Sequence, residues 1–412
     1  MSLTRRINYP WSLIERIHHS LRKTRGLLRG VIYGSEPSST WQTVYPPVIG
    51  YTAGASGEMK KRGLVTYAAH SFYLTADEVK FASQSTAPIN LEIARAFNRL
   101  GYVVDVVDWK DGSFMPMTHY DVLFGMGPNF KGWLPLLDDK TLKIYWGTGE
   151  YWAYDNAAVN ARVAAFNARR RTKIPLQKKE SCGEELADAV IVTANQVILD
   201  TYRKHNPRLS AIDNIALNIL PPPDLDHRNF SVACKNFLWM GNDNFIRRGL
   251  DLVLDVFTQL PDLHLWVCGP LKSETERAFI RAYRRELFRT PNIHPIGWID
   301  IHAEQFRRLM DSCGFAIYAS CTEAMSGSIL NCLGRGLIPL ISRDVGLDTE
   351  DFGVTFRHDS VESIRRVVSD MANASPDVCR RMAREAYYQA CTRYTLDSFS
   401  RNIERILRTI LN

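Results

Sequence analysis

From residue 62 onward, short apolar runs bounded by glycine, proline or asparagine alternate with longer stretches whose apolar positions recur at helical spacing. A continuous short run suits a strand buried on both faces, and the three-to-four spacing suits an amphipathic helix. The pattern predicts strands over 62–69, 103–109, 121–124, 143–146 and 189–192, with a helix over 90–100. Residues 184–188 and 217–220 complete this first half. Pro221-Pro222-Pro223-Asp224 is the best linker in the chain, because consecutive prolines cannot enter a sheet interior and stiffen a hinge. Beyond it the alternation restarts: strands over 237–241, 263–268, 293–296 and 314–318, with helices over 249–260, 274–288 and 303–311. Such β-α alternation predicts two α/β domains, each a doubly wound parallel sheet. A chain of 412 residues exceeds the size at which one core keeps growing, which also favours two.

The segment from Ser320 to Ser342 carries the clearest chemistry. An apolar strand over 314–318 runs into Cys321-Thr322-Glu323, then a short helix opened by Ser326 and Gly327, then a second strand over 337–341. Ser326 is a good N-cap residue, Gly327 leaves the first turn open to a ligand, and Gly334 or Gly336 can end the helix in a left-handed conformation. In open parallel sheets ligands collect at the carboxyl ends of strands, where free N–H groups face outward. The backbone of 324–327 offers donors and Glu323 an acceptor, a pairing suited to a polyhydroxylated, phosphate-bearing ligand. Read locally, the same residues also fit a surface loop with a solvated Glu323.

Charge adds two features to an otherwise ordinary globular composition with a net charge of +7. Residues 1–30 carry seven Arg and Lys against Glu15 alone, and residues 162–179 carry seven with no acid. Trp11, Ile14, Ile17 and Leu21 share one face of a possible N-terminal helix whose other face is basic, a pattern that fits anionic lipid headgroups or plain packing on the protein. The run at 162–179 fits either a solvated helix face or a site for a phosphorylated or lipid-diphosphate acceptor. No recognised nucleic-acid-binding motif appears, so nucleic acid is not an expected partner. No apolar run is long enough to span a bilayer or to resemble a secretion signal, and the eight cysteines form no Cys-x-x-Cys pair. These features predict a cytoplasmic protein with reduced thiols and no structural metal, peripheral at the inner face of a membrane if residues 1–30 engage lipid.

Three segments resemble the group 1 nucleotide-sugar glycosyltransferases. They are Phe237-Leu238-Trp239-Met240-Gly241 leading to Arg247-Arg248-Gly249-Leu250, Asn292-Ile293-His294-Pro295-Ile296-Gly297-Trp298, and the Glu323 segment with Gly336-Leu337-Ile338-Pro339 after it. The resemblance covers roughly residues 235–350 and is weak in the first half. It implies the GT-B architecture, two Rossmann-like domains facing across a cleft. The implied divisions are a basic N-terminal segment and loop over 1–57, an acceptor domain over 58–222, a donor domain over 225–395, and a last helix over 396–412 that crosses back to the first domain.

By that resemblance Arg248 grips the donor diphosphate with Arg247 as helper, and Glu323 with the backbone of Ala324, Met325, Ser326 and Gly327, and with Ser328, contacts the donor sugar. Gly241 and Gly297 approach the nucleotide. Asn242 stands where many relatives have a phosphate-binding arginine, and Asn331 where they have a ribose-binding glutamate; an amide accepts less strongly than a carboxylate. Glu150, after the Gly147-Thr148-Gly149 turn, is the candidate for positioning or activating the acceptor, with His70 its competitor. The implied activity is retaining, metal-independent transfer of a hexosyl or deoxyhexosyl group from a nucleotide sugar to a glycan or lipid-linked acceptor in cell-surface polysaccharide assembly, with no cofactor. A nucleotide-sugar epimerase of the same fold, and a non-catalytic binding protein with a degenerate donor site, remain as alternatives.

Overall fold

The structure is a computed structural model and describes residues 43–53, 59–82, 84–217 and 219–412. The basic N-terminal segment considered for membrane contact lies outside the described residues.

Two sheets carry the fold. The first contains β1 (Val48–Tyr51), β2 (Lys61–Tyr67), β3 (Tyr102–Asp108), β4 (Val122–Gly125), β5 (Leu142–Gly147), β6 (Ala189–Thr193) and β7 (Leu209–Ile212) in the order β1-β3-β2-β4-β5-β6-β7. All its pairings are parallel except β1 with β3. The second contains β8 (Asn236–Met240), β9 (His264–Cys268), β10 (Ile293–Gly297), β11 (Phe315–Tyr318), β12 (Ile338–Ile341) and β13 (Val354–Thr355) in the wholly parallel order β10-β9-β8-β11-β12-β13. Five helices matter below: α1 (Thr86–Arg99), α2 (Trp152–Arg170), α3 (Leu250–Phe257), α4 (Gly327–Leu333) and α5 (Leu396–Leu411). Buried β6, β11 and β12 read in sequence as near-continuous apolar runs, as strands buried on both faces do, whereas β3 carries Asp105 and Asp108.

Several expectations need correction. Residues 217, 219 and 220 lie in no strand; the Leu217 N–H donates to Asn331 Oδ1 at 2.8 Å rather than to a sheet neighbour. The first sheet is instead completed by β7. The stretch before residue 57, read as irregular, contains β1, an antiparallel edge strand tied to β3 by a bond from Gly50 N–H to Asp105 Oδ1 at 2.8 Å. The helix expected over 274–288 is two pieces, Arg277–Ala282 and Arg284–Arg289. The interruption falls at Tyr283, whose ring is fully buried.

That ring belongs to the seam between the halves. Helix α2 belongs to the first half, yet Phe166 on it stacks on Phe279 with centroids 5.7 Å apart and packs on Tyr283 at 5.9 Å. The basic run that begins on α2 faces acids of the second half. Arg162 donates to Ala319 O at 3.1 Å and pairs with Asp359 at 2.9 Å. Arg169 pairs with buried Asp251, and Arg170 reaches Asp255 at 2.5 Å and Glu286 at 2.8 Å while lying 3.6 Å over the Tyr283 ring. Much of the run therefore acts as interdomain glue, leaving Arg171, Lys173 and Lys178 exposed at its far end.

A second seam lies on the far side. Thr395 caps α5, whose apolar stripe of Phe399, Ile403, Ile406, Leu407 and Ile410 is buried. The helix lies on the first half: Phe399 meets Trp146 edge to face at 6.3 Å, and Glu404 pairs with Arg99 at 2.7 Å. Between the seams, Arg335 straps the linker by donating to the carbonyls of Ile219 and Pro221 while holding Asp311 with two bonds of 2.6 and 2.7 Å.

Truncating Phe166 removes a fully buried ring from the α2 seam. F166A is expected to lose about 3 kcal/mol or more of stability, read as an earlier unfolding midpoint in urea.

Candidate functional site

In the second sheet the strand order reverses between β8 and β11, and open α/β sheets hold ligands at such a switch point, outside the carboxyl ends of the strands. Gly241 and Arg248 follow β8, and Tyr318 to Glu323 end and follow β11. The fold therefore brings together two segments seventy residues or more apart.

The loop after β8 is held from beneath. The buried Glu276 carboxylate accepts the N–H groups of Asn244 at 2.5 Å and Phe245 at 3.4 Å. Gly249 then turns into α3 with φ +69, and a Cβ there would stand 2.1 Å from Ala319 O. Only glycine fits, so the close approach fixes Arg248 against β11. The Arg248 stem runs past Gly241, where a Cβ would lie 3.2 Å from its Cδ. Its Nε donates to Asp243 O at 2.8 Å, and Nη1 meets the Tyr318 hydroxyl and sits 3.1 Å from Glu323 Oε2. Tyr318 also donates to Glu323 Oε2 at 3.2 Å. Burial lowers the guanidinium pKa, but the Glu323 carboxylate and Tyr318 outweigh it and raise it, so Arg248 stays charged. Burial pushes the Tyr318 phenol well up despite Arg248, so it remains a donor.

A second cluster crosses the cleft. Arg247 donates from Nε to Thr322 O at 3.0 Å, and its Nη2 forms an ion pair with Asp155 Oδ1 at 2.7 Å. The Thr322 hydroxyl touches both Glu150 Oε2 and, at 2.8 Å, Asp155 Oδ1. Glu150 Oε1 accepts the Glu323 N–H at 2.9 Å. Burial pushes Asp155 up, but Arg247 and Lys179 overcome it and hold its carboxyl below the usual value. Glu150 has burial as its dominant influence and is pushed up to about 8.

The structure thus brings Gly241, Arg248 and Glu323 together and places Glu150 behind Glu323. Arg247, expected as a helper on phosphate, is committed to Asp155 and Thr322. Asn242 is exposed, and Gly297 ends β10 with φ +87. The 324–327 backbone is partly occupied from the first half: Met325 N–H donates to Thr193 O at 3.2 Å, and Asn214 Nδ2 donates to Met325 O at 2.8 Å. Helix α4 begins at Gly327 after Ser326, whose side chain makes no cap bond, and the helix stops with Gly336 left-handed at φ +66. Ala324 and Ser326 are buried, Ser328 is half-buried, and buried Asn331 spends its amide oxygen on Leu217.

In the first half, β4 lies between β2 and β5 and so separates His70 from Glu150. His70 sits in the turn after β2 against the Tyr45 ring at 5.9 Å, and burial lowers its pKa. The Gly147-Thr148-Gly149 turn is pinned by Tyr202, whose hydroxyl donates to Gly149 O at 2.8 Å. Tyr318, Thr322, Asp155 and Glu276 escaped the sequence reading. Tyr318 lies inside an apolar run that hides its hydroxyl, Asp155 is a polar position on a helix, where a solvated face is the ordinary expectation, and Glu276 lies just before a helix, in a stretch read from sequence as helical. Among the described residues no group of three His, Cys, Asp or Glu side chains is placed to hold a metal ion, and no helix is long and apolar enough to cross a membrane.

This arrangement is the GT-B fold. Sucrose-phosphate synthase from Thermosynechococcus elongatus superposes with a TM-score of 0.61 at 13% identity, over 85% of this chain and 99% of that one. A glycosyltransferase from Rickettsia africae gives 0.55 at 11% identity, over 86% and 99%. Anabaena HepE, solved with UDP and glucose, gives 0.54 at 11% identity, over 85% and 100%. No protein-family model and no curated protein matches the sequence. At such identities the likeness is one of fold, and function has to be argued from the site.

G249A forces a side chain into a left-handed residue and onto Ala319 O. It is expected to cost more than the roughly 1–2 kcal/mol of the backbone conformation alone, measured by urea unfolding.

Proposed function

We propose that this protein is a glycosyltransferase that uses a nucleotide-sugar donor. The observation that carries the reading is the Arg248, Tyr318 and Glu323 group at the switch point of the second sheet, facing the first half across the cleft. A departing nucleoside diphosphate gains negative charge, and a fixed guanidinium with a phenol beside it suits that charge, since prearranged donors need no reorganisation as it develops. Arg248 Nη2 carries no hydrogen bond to the described residues and is the donor available to phosphate. Glu323 provides a carboxylate for sugar hydroxyls, and its pairing with Arg248 couples the grip on sugar to the grip on phosphate. HepE's complex with UDP and glucose makes UDP-glucose the first donor to try.

In this reading transfer is retaining and independent of metal: the donor phosphate takes the acceptor proton on the face where the new bond forms, so no pair of protein carboxylates flanks the bond as in glycoside hydrolases. The acceptor, a glycan or lipid-linked saccharide of a cell-surface polymer, enters over the strand ends of the first half near His70, Met126 and Thr148. Asn331, tied to the linker, leaves the nucleoside held with fewer charged contacts than a glutamate there would give.

UDP and UDP-sugars are expected to raise the melting temperature of the wild-type chain. R248A and E323A should abolish that shift or weaken it strongly and cut donor turnover about 100-fold or more. A wild-type melting temperature indifferent to every nucleoside diphosphate and nucleotide sugar in a panel would remove the basis for the reading.

A further inference from the structure

The hydroxyl of Thr322 is in hydrogen-bond contact with two carboxyl groups, Glu150 Oε2 and Asp155 Oδ1. A hydroxyl has one proton and donates once. Were both carboxyls ionised, one contact would press an oxygen lone pair against an anionic oxygen with no proton between them. All three residues are buried, so water does not relieve that repulsion. The cluster therefore holds one proton more than two ionised carboxylates and a hydroxyl supply.

The neighbours decide where the proton sits. Asp155 is met by cations on both oxygens, Arg247 at 2.7 Å on Oδ1 and Lys179 at 2.6 Å on Oδ2, and Gln177 Nε2 adds a bond of 2.7 Å to Oδ2. Glu150 has no such partner. Its Oε1 receives the Glu323 N–H, the guanidinium of Arg247 is already paired with Asp155, and the Tyr202 hydroxyl is spent on Gly149 O. Cys321, the other titratable side chain close by, stays a thiol because burial pushes its pKa up to about 12. The Glu323 carboxylate is paired with Arg248.

We propose that Glu150 works as a neutral carboxylic acid, a positioning residue that donates to Thr322 Oγ1, accepts from the Glu323 N–H, and so latches the two halves and sets the main chain of Glu323. The donor chain runs from Glu150 O–H to Thr322 and from Thr322 O–H to the Asp155 carboxylate. Glu150 and Asp155 belong to the first half and Thr322 to the second, so the chain exists only with the cleft closed, and closure takes up a proton whenever the open form would ionise Glu150. The upward push on Glu150 by burial agrees in direction. A carboxyl raised in the folded state contributes stability that is full below its ordinary value of 4.5 and is lost as pH rises to about 8. Only the role given to Glu323 rests on the transferase reading; the proton count does not.

The test compares the full chain as wild type, E150Q and E150A in thermal unfolding from about pH 5 to about pH 8, with infrared spectra of the protonated-carboxyl stretch. Glutamine keeps both bonds, since its amide nitrogen donates to Thr322 and its oxygen accepts from Glu323, but it does not titrate. E150Q is expected to lose one proton's share of the wild-type decline in melting temperature with pH, to lack the infrared band that wild type shows at neutral pH, and to match or exceed wild type near pH 8. E150A should melt lower throughout. With a turning-over donor, the wild-type kcat/KM falls as pH passes about 8 and E150Q lacks that fall. Equal pH slopes in wild type and E150Q, or E150Q as damaged as E150A with no protonated-carboxyl band in wild type, would overturn the assignment. Neither unfolding nor infrared needs turnover, so failure of the transferase reading shows separately, as indifference to nucleotides.

Discussion

The site depends on the way the segment from Ala319 to Glu323 is gripped from both halves at once. Gly249 lets Ala319 O come close, Arg247 holds Thr322 O, its own carbonyl accepts the Cys321 N–H at 2.9 Å, and Glu150 takes the Glu323 N–H. The main chain just before the candidate sugar-binding carboxylate is thus hydrogen-bonded residue by residue. Such a shell fixes the Glu323 side chain opposite Arg248 and makes its direction a property of both sheets.

Charge distribution follows from the same constraint. Two arginines stand side by side in sequence with different work: Arg248 turns to Tyr318 and Glu323 within the second half, while Arg247 turns to Asp155 and ties the halves together. Arg162, Arg169 and Arg170 extend that closure along α2. Buried or half-buried pairs of this kind set geometry more than they add stability, since desolvation offsets much of their attraction. The aromatic stack of Phe166, Phe279 and Tyr283 supplies the apolar burial that keeps the seam together.

The general plan was legible in the chain. Apolar runs between glycines marked most of the strands, because such signals are local and repeat at the period of the element that buries them. The edge strands β1 and β7 were not legible, being short and half exposed. Leu217 and Ile219 look strand-like because both are buried, yet the Leu217 N–H is spent on Asn331 of the second half rather than on a sheet. The Glu323 loop and Arg248 stood out from sequence because fixed glycines and strand ends surround them.

Sequence by itself determined most of the strands and helices, and that Gly241, Arg248 and Glu323 lie near strand ends. Only the tertiary structure decided which polar groups are shared between the halves. It made Glu150, a candidate for the acceptor side, a buried partner of Thr322, gave Asp155 two cations, and spent Arg162, Arg169 and Arg170 of the basic run on acids 82 to 197 residues away. The reason is physical: secondary structure follows from periodicity within a window, whereas the ionisation and partners of a buried carboxyl are set by desolvation and by donors that arrive from distant parts of the chain.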